Sequence, residues 1–574
     1  MPLSSSSPSV TSEFLLRRHQ TVSQGQGKPG GLWRLSCLVL LSLACGALFF
    51  YGLNAGDLWR AENLRALIAK EVLGSGNWIV PTLYGQPLFS KPPGFYVAVA
   101  AVSHLAGGVS EWTARFPSAV AASATVFLVF WYFSRQLGRT GGLIAALTLP
   151  VSFMWLDKAS VAEIEMMHVA WTTAAILCFL RAQEIGEKRT DIPEISIPRI
   201  VFQARFTVGV SRLGQSLVSL APISHRVTTP AITGREEATK SESRGPTRRG
   251  SSAEWFWWLA ALMCVAGGFL TKWTTPVFFY LTAITFLYLR GRLRVLLAGP
   301  HLVSLSLAAG VCLLWVIAAI AFAGWHTFYN MVSREALARV VPGNYGGEYR
   351  WYEVPIYPLK IFVTYLPWSA FALLAIRPRF ASIWDERGRY LLQALHAWLW
   401  PNLIFWSFIA EHTPRHSFPI YPAISGMAAM VWLGWSNGLL RWSLGRLRPA
   451  GVLATLLVCW MGIKLLHVHV VVPARNQVRQ PRAKGLEIAA AVPGDEVLYV
   501  FQLKDRDEGI LFYYGRPVQR LAGPRDFCPS VRRAYCLLDK DEWEELRETY
   551  SGETVLEMPD ETGQSIVLAR IERD

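Results

Sequence analysis

Charged residues make up only 17% of the 574 positions, against a hydrophobic share of 52%. Soluble domains carry about 25% charged residues, so a wholly soluble chain is excluded and a polytopic membrane protein is expected. Cysteine is scarce, and six of the eight (Cys37, Cys45, Cys178, Cys264, Cys312 and Cys459) fall in apolar runs, where they act as small filler. Only Cys528 and Cys536 lie where an oxidising compartment could pair them. No GxGxxG opens the soluble-like C-terminal region, so nucleotide binding there has no support. Internal repeats and inverted symmetry are also missing, although transporters built from repeated halves would show them. The first 34 residues are too long and polar for an n-region, and no small-residue cleavage site ends the first apolar run. A retained signal anchor is therefore expected.

What is present is a series of apolar runs long enough to cross a bilayer, which takes roughly 20 residues. About eleven are expected, near 35–53, 114–134, 141–158, 164–182, 254–271, 273–289, 302–323, 355–376, 390–409, 416–435 and 450–471. The net charge of +15 sits mainly in the short loops between them and in one long insertion, which argues for membrane orientation rather than nucleic acid. Arg17, Arg18, Lys28 and Arg34 precede the first run. If that tail is cytoplasmic, alternation places five further arginine-rich stretches on the same side: Arg135/Arg139, 184–253, Arg290/Arg292/Arg294, Arg377/Arg379/Arg387/Arg389 and Arg441/Arg446/Arg448. This parity requires 94–108 to lie at the outer interface without crossing. The segment 62–73 reads the same way: Leu64, Leu67, Ile68 and Val72 share one helical face, with Glu62, Arg65 and Lys70 off it.

The chain divides accordingly. Residues 1–34 read as a basic cytoplasmic tail and 35–475 as the transmembrane domain, with 54–113 as an external loop carrying interfacial helices. Residues 184–253, rich in Ser, Thr, Arg and Pro, read as a disordered cytoplasmic insertion. From 476 to 574 the composition becomes soluble-like. There EVLYVFQ, GILFYYG, RAYCLLD and SIVLARI read as strands and KDEWEELRETY as a helix, giving a small extracytoplasmic α/β domain.

On the outer side of this topology gather Asp57, Glu62, Lys91, Glu163, Glu165, Lys272, Glu335, Arg339, Glu411 and Arg415. A chain nearly free of charge in its spans, yet collecting acids and bases at one interface, is building a polar site there. Each residue also has a plainer reading. Glu62 could belong to the wet face of a surface helix, Glu163 and Glu165 could be boundary acids in headgroup water, and Lys272 could snorkel from its tight turn. Glu411 and His412 beside Arg415 are too few to argue for a metal.

The outer loop carries more specific signals. Ser75-Gly76-Asn77-Trp78-Ile79-Val80-Pro81, then Lys91-Pro92-Pro93, then Ala114-Arg115-Phe116-Pro117-Ser118 follow in order behind DLWRAENLR, which contains Arg60. This combination resembles the GT-C glycosyltransferases that use lipid-linked sugars, in the branch of the lipid A aminoarabinose transferases and protein O-mannosyltransferase-like enzymes. VAEIEMM at 161–167, FLTKW at 269–273, FYNMVSREALARV and TPRHSFPIYPA at 413–423 (with Tyr421) are weaker echoes. The resemblance covers roughly 50–185 and 255–425. It implies an all-α polytopic enzyme of the plasma (bacterial inner) membrane, with a cytoplasmic N-terminus and a periplasmic C-terminal domain. The implied reaction moves a sugar from a polyprenyl-phosphate donor to a lipid or protein acceptor. Membrane lipids are the further partner, nucleic acid has no part, and the sequence requires no cofactor; a divalent metal ion has no support.

At one point the chain departs from that pattern. The family's Asp-Glu pair falls on Ala61-Glu62 when aligned without gaps from Trp78, so the usual catalytic aspartate has no direct counterpart. Glu62 is then the expected base, with Asp57 the alternative. The chemistry needs a carboxylate to take the acceptor's proton and cations to hold the phosphate as its bond to the sugar breaks. Lys91, Lys272, Arg339 and Arg415 are the expected phosphate ligands, and Glu165 is expected to bind sugar or orient the acceptor. Arg60, Arg115, Glu163, Glu335 and Tyr421 complete the candidates. The rivals are a flippase of a lipid-linked precursor, which should place its polar groups near mid-membrane, and a scaffold that has lost catalysis.

Overall fold

The computed structural model describes residues 31–187, 251–340, 349–409, 412–440, 449–501, 508–521, 527, 533–560 and 563–572. The insertion 188–250, Glu411 and Cys528, and with them the expectations placed on them, lie outside the described residues.

The chain is mainly helical, with one small sheet near its C-terminus. Among the described residues, four helices are long and apolar enough to cross a membrane: Glu111–Thr148, Ile164–Glu187, Gly299–Ala323 and the continuous Ala450–Ala491. A fifth candidate is the pair Glu353–Thr364 and Trp368–Ile376, bent by 111°. The protein is thus an integral membrane protein. Two expected runs, 114–134 and 141–158, share one 38-residue helix that kinks at Gly138, whose φ of 75° breaks the helical path. Helix Ile164–Glu187 forms the centre, packed against Glu111–Thr148 on one side and Ser252–Phe269 on the other. Its apolar window is 72% buried, whereas only 17% of that of Gly299–Ala323 is, leaving the latter helix a face for lipid.

Both interfacial segments are helices, Ala61–Ser75 and Gly94–Leu105, packed against each other. The first is not wet along its expected polar face. Glu62 is 2% exposed and Asn63 is 1% exposed, because the helix is covered by neighbours on more than its apolar side. It ends at Gly76 in the left-handed conformation (φ 69°), which glycine adopts without Cβ strain. The Pro81–Pro87 stretch then folds back as a hairpin of β1 (Thr82–Leu83) and β2 (Gln86–Pro87). Glu71 pins this hairpin by accepting from Thr82 Oγ1 at 2.7 Å and from the Tyr84 and Gly85 amides.

The C-terminal sheet consists of β3 (Leu498–Val500), β4 (Val518–Arg520), β5 (Arg533–Asp539), β6 (Ser551–Pro559) and β7 (Ser565–Glu572), ordered β4-β3-β5-β7-β6. The first three strands pair in parallel, and β5-β7 and β7-β6 are antiparallel. The expected strands EVLYVFQ, RAYCLLD and SIVLARI are present, as is the helix Lys540–Arg547. GILFYYG is not a strand. It forms helix Glu508–Tyr514, with five of its seven residues buried between the sheet and the juxtamembrane helices. A short run buried on every side has no periodicity to separate the two states. Cys536 is fully buried in β5, among the core side chains of the domain.

Candidate active site

A cavity of about 350 Å³ opens where the juxtamembrane helices meet the ends of the membrane helices. Its charged wall holds Arg60, Arg65, Lys91, Lys272 and Arg415 against Glu165, Glu335 and Glu508, an excess of two positive charges. These residues come from seven separate segments of the chain, so the fold itself makes the cluster.

Close backbone contacts explain how. Gly94 donates its amide to the Leu270 carbonyl at 2.8 Å, and a Cβ at Gly94 would stand 2.7 Å from that oxygen. Only glycine permits this approach, and it brings Lys91-Pro92-Pro93 against Leu270-Thr271-Lys272. Two lysines 181 positions apart thereby face one cavity. Arg415 and His416 ride on the short 3₁₀ turn Pro414–Ile420. The Tyr357 hydroxyl holds that turn by donating to the Thr413 carbonyl at 3.3 Å and bonding Ser417 Oγ at 2.8 Å.

Lys272 is 3% exposed, so it does not snorkel; its Nζ lies 3.7 Å from Glu165 Oε1. Glu165 opens the central helix Ile164–Glu187 and is 6% exposed, with Oε2 accepting no hydrogen bond among the described residues. Lys91 Nζ bonds the Ser90 carbonyl at 2.9 Å and pairs closely with Glu335.

The two expected bases stand elsewhere. Glu62 does not line the cavity. Its Oε1 accepts from Arg115 Nε at 2.8 Å and the Ala162 amide at 2.9 Å, and its Oε2 from Arg115 Nη2 at 3.0 Å and the Trp59 amide at 2.9 Å. Burial by itself would raise the Glu62 carboxyl pKa, but Arg115 and these hydrogen bonds outweigh it and hold the group below the usual carboxylate range. A carboxylate so saturated has no lone pair turned to a substrate. Asp57 also lies off the cavity and accepts from Arg482 Nε at 3.0 Å. Ala61, the position of the missing family aspartate, does line the cavity, but it brings no carboxylate there.

The remaining candidates divide. Arg60, Lys91, Glu165, Lys272, Glu335 and Arg415 come together. Arg115 belongs to the Glu62 pair, and Glu163 bonds Lys158 at 3.0 Å. Burial and the neighbouring Glu165 charge raise the Glu163 carboxyl pKa, with Lys158 opposing. Tyr421 is fully buried among membrane helices, bonded to Thr364 at 2.6 Å and stacked on Tyr365. Arg339 belongs to helix Trp325–Val340, and its side chain lies outside the described residues.

Sequence reasoning missed Arg65, Tyr96, His416 and Glu508. Arg65 shares helix Ala61–Ser75 with Glu62 and His416 shares the turn Pro414–Ile420 with Arg415, whereas Tyr96 lies on helix Gly94–Leu105, where no site residue was expected. Glu508 had no signal, because it belongs to the soluble-like domain. That domain is fastened to the membrane core at several points. The Tyr513 hydroxyl donates to Glu111 at 2.7 Å and accepts from the Leu58 amide at 3.0 Å, and Lys70 Nζ donates to the Gly515 carbonyl at 2.6 Å.

The backbone matches a crystal structure of ArnT from Cupriavidus metallidurans bound to undecaprenyl phosphate, with a TM-score of 0.64. The match covers 93% of this chain and 97% of that one, at 16% identity. The fold is of the GT-C type. Residues 90–191 match the model of the family described as dolichyl-phosphate-mannose-protein mannosyltransferase. The chain is 31% identical over 134 residues to an undecaprenyl phosphate-alpha-4-amino-4-deoxy-L-arabinose arabinosyl transferase of Edwardsiella ictaluri, over 23% of this chain and 24% of that one. It is 27% identical over 221 residues to a protein of the same name in Sodalis glossinidius, over 33% of this chain and 38% of the relative. These alignments thus span between about a quarter and two-fifths of the relatives' own length.

Proposed function

We propose that this chain is a membrane glycosyltransferase that moves a sugar from a polyprenyl-phosphate donor to a lipid or protein acceptor on the extracytoplasmic face. The observation that carries this reading is the cavity, where five cations and three carboxylates converge beside helices that cross the membrane. A donor with a long polyprenyl tail keeps the tail in lipid while its phosphate reaches such a cavity. Lys91, Lys272, Arg415 and Arg60 then hold the phosphate and stabilise the charge that grows on it as the sugar leaves. Glu165 is the base: of the three carboxylates first expected to act, it alone lines the cavity, and its Oε2 accepts no hydrogen bond among the described residues. Glu62 is assigned to holding the helix Ala61–Ser75 in place.

The same reading retains about eleven crossings, a cytoplasmic N-terminus and insertion, and an external domain from 476 onward. The arginine-loaded loops support it, since they agree on one side.

The test is retention of undecaprenyl phosphate by the purified full-length protein, followed by sugar transfer from a polyprenyl-phosphate donor after reconstitution. Retention that disappears in Lys272→Ala is expected. A wild-type protein that neither retains undecaprenyl phosphate nor consumes any polyprenyl-phosphate sugar would overturn the reading.

A further inference from the structure

Beside the cavity lies a second concentration of positive charge, of which the proposed transfer uses only Arg60. The guanidinium carbons of Arg60 and Arg475 each stand 4.2 Å from the centre of the Trp59 ring, and that of Arg479 stands 5.8 Å away. The assembly is forced by packing. Gly52 and Gly56, at φ 76° and 66°, lay the chain so close to the last membrane helix that a Cβ would meet Val468 at 2.7 Å and Val472 at 2.3 Å. Lys464, Val468, Val472 and Arg479 are buried along the same helix, so its inner side runs cationic toward Trp59.

We propose that Trp59, Arg60 and Arg475 form a second anion site, which takes a phosphate-bearing lipid headgroup next to the donor cavity. Stacking on the indole uses the faces of the two guanidinium groups and leaves their in-plane N–H donors for an anion. Neither side chain has an ion pair or hydrogen bond among the described residues, and Arg475 Nε is a buried donor with no acceptor there. Two neighbouring carboxylates are committed elsewhere: both Glu62 oxygens to Arg115 and two amides, and Asp57 to Arg482. The planar fork of N–H donors that each guanidinium carries suits phosphate oxygens. Arg60 faces the cavity as well as Trp59, so an anion held here would sit next to the bound donor. The binding does not depend on the transferase reading. The use made of it does: in a transferase, this is where the acceptor's own phosphate would dock.

The experiment is native mass spectrometry of the full chain in detergent with dioleoyl phosphatidic acid, dioleoyl phosphatidylglycerol, dioleoyl phosphatidylcholine or inorganic phosphate as probe. Wild type should retain the anionic lipids at least tenfold better than phosphatidylcholine. Arg475→Gln should lose that preference, and Arg475→Lys should keep part of it, since the charge survives but the stacked fork of donors does not. Undecaprenyl phosphate in the donor cavity should survive Arg475→Gln, while Lys272→Ala should show the reverse pattern, so the two sites fail separately. A preference for phosphatidic acid over phosphatidylglycerol would assign the site to a phosphomonoester acceptor, and equal retention to the surrounding bilayer. No anionic preference in wild type, an indifferent Arg475→Gln variant, or retention of inorganic phosphate without lipid would overturn the proposal. If Arg475→Gln does not accumulate, the wild-type preference and the Arg475→Lys variant decide.

Discussion

The chain holds two buried glutamates paired with cations, Glu62 with Arg115 and Glu165 with Lys272, and they are built in opposite ways. In the first, both carboxylate oxygens are saturated, and the guanidinium also donates to the carbonyls of Leu53 and Ala55 at 2.9 Å and of Asp57 at 3.1 Å. In the second, the groups stand 3.7 Å apart on the wall of an open cavity, and Glu165 Oε2 accepts no hydrogen bond among the described residues. Burial and opposite charge are common to both. What separates a brace from a reactive pair is whether the remaining lone pairs are already spoken for. A carboxylate that holds four donors fixes a loop, and one with a vacant oxygen beside a cavity can take a proton.

The sharpest way to break this contrast is to neutralise each glutamate without changing its shape. Glu165→Gln should lower sugar transfer by about 10²- to 10⁴-fold, the usual share of a general base, while the protein folds and retains undecaprenyl phosphate. Full turnover in that variant would return the base to Glu335 or Glu508. Glu62→Gln should instead act on the fold. It leaves a buried arginine uncompensated, at a cost of about 3–5 kcal/mol, read as a lowered melting temperature in detergent or failure to accumulate. If Glu62→Gln folds normally and loses only turnover, the contrast is wrong and Glu62 is the base after all. The acid limb gives a second readout. Because the Glu62 pKa is depressed in the folded protein, its contribution is fully present above about pH 4.3, the unfolded value, and is lost as pH falls through the lower folded value. The stability gap between wild type and Glu62→Gln should therefore close below pH 4.

Two smaller effects sharpen the reading of the cavity. Lys272→Ala removes a charge-assisted contact to the donor phosphate, about 1.5–3 kcal/mol, so affinity for undecaprenyl phosphate should fall roughly tenfold to over a hundredfold. Unchanged affinity would make Lys272 only the partner of Glu165. Tyr357→Phe deletes the hydroxyl that fixes the turn carrying Arg415, worth about 1 kcal/mol. A several-fold weaker donor interaction with little change in melting temperature is expected, and no change would mean that the turn holds without it.

Much of the cavity was legible in the sequence because bilayer topology is written in charge. Once arginine-rich loops claim one side, the charged residues left on the other have few places to go, and Lys91, Glu165, Lys272, Glu335 and Arg415 do meet. The exceptions have physical causes. Glu62 looked like the wet edge of an amphipathic helix because its partner Arg115 lies 53 positions later, a contact no local periodicity reports. Tyr421 followed a motif into the apolar interior, where a hydroxyl partner from another helix satisfies it. GILFYYG read as a strand because its residues are buried on every side, and Glu508 was overlooked for the same reason, since its segment seemed to belong wholly to a separate domain.

That last placement bears on when the cavity is assembled as the protein is made. Glu508 is synthesised about 340 residues after Glu165, a lag of roughly 20–70 s at ordinary translation rates. Until the segment that carries Glu508 has docked through Tyr513 and Lys70, the cavity lacks one of its three carboxylates. A nascent chain already inserted in the bilayer therefore holds an unfinished charge cluster, which is complete only after the Glu508 segment has been made and docked.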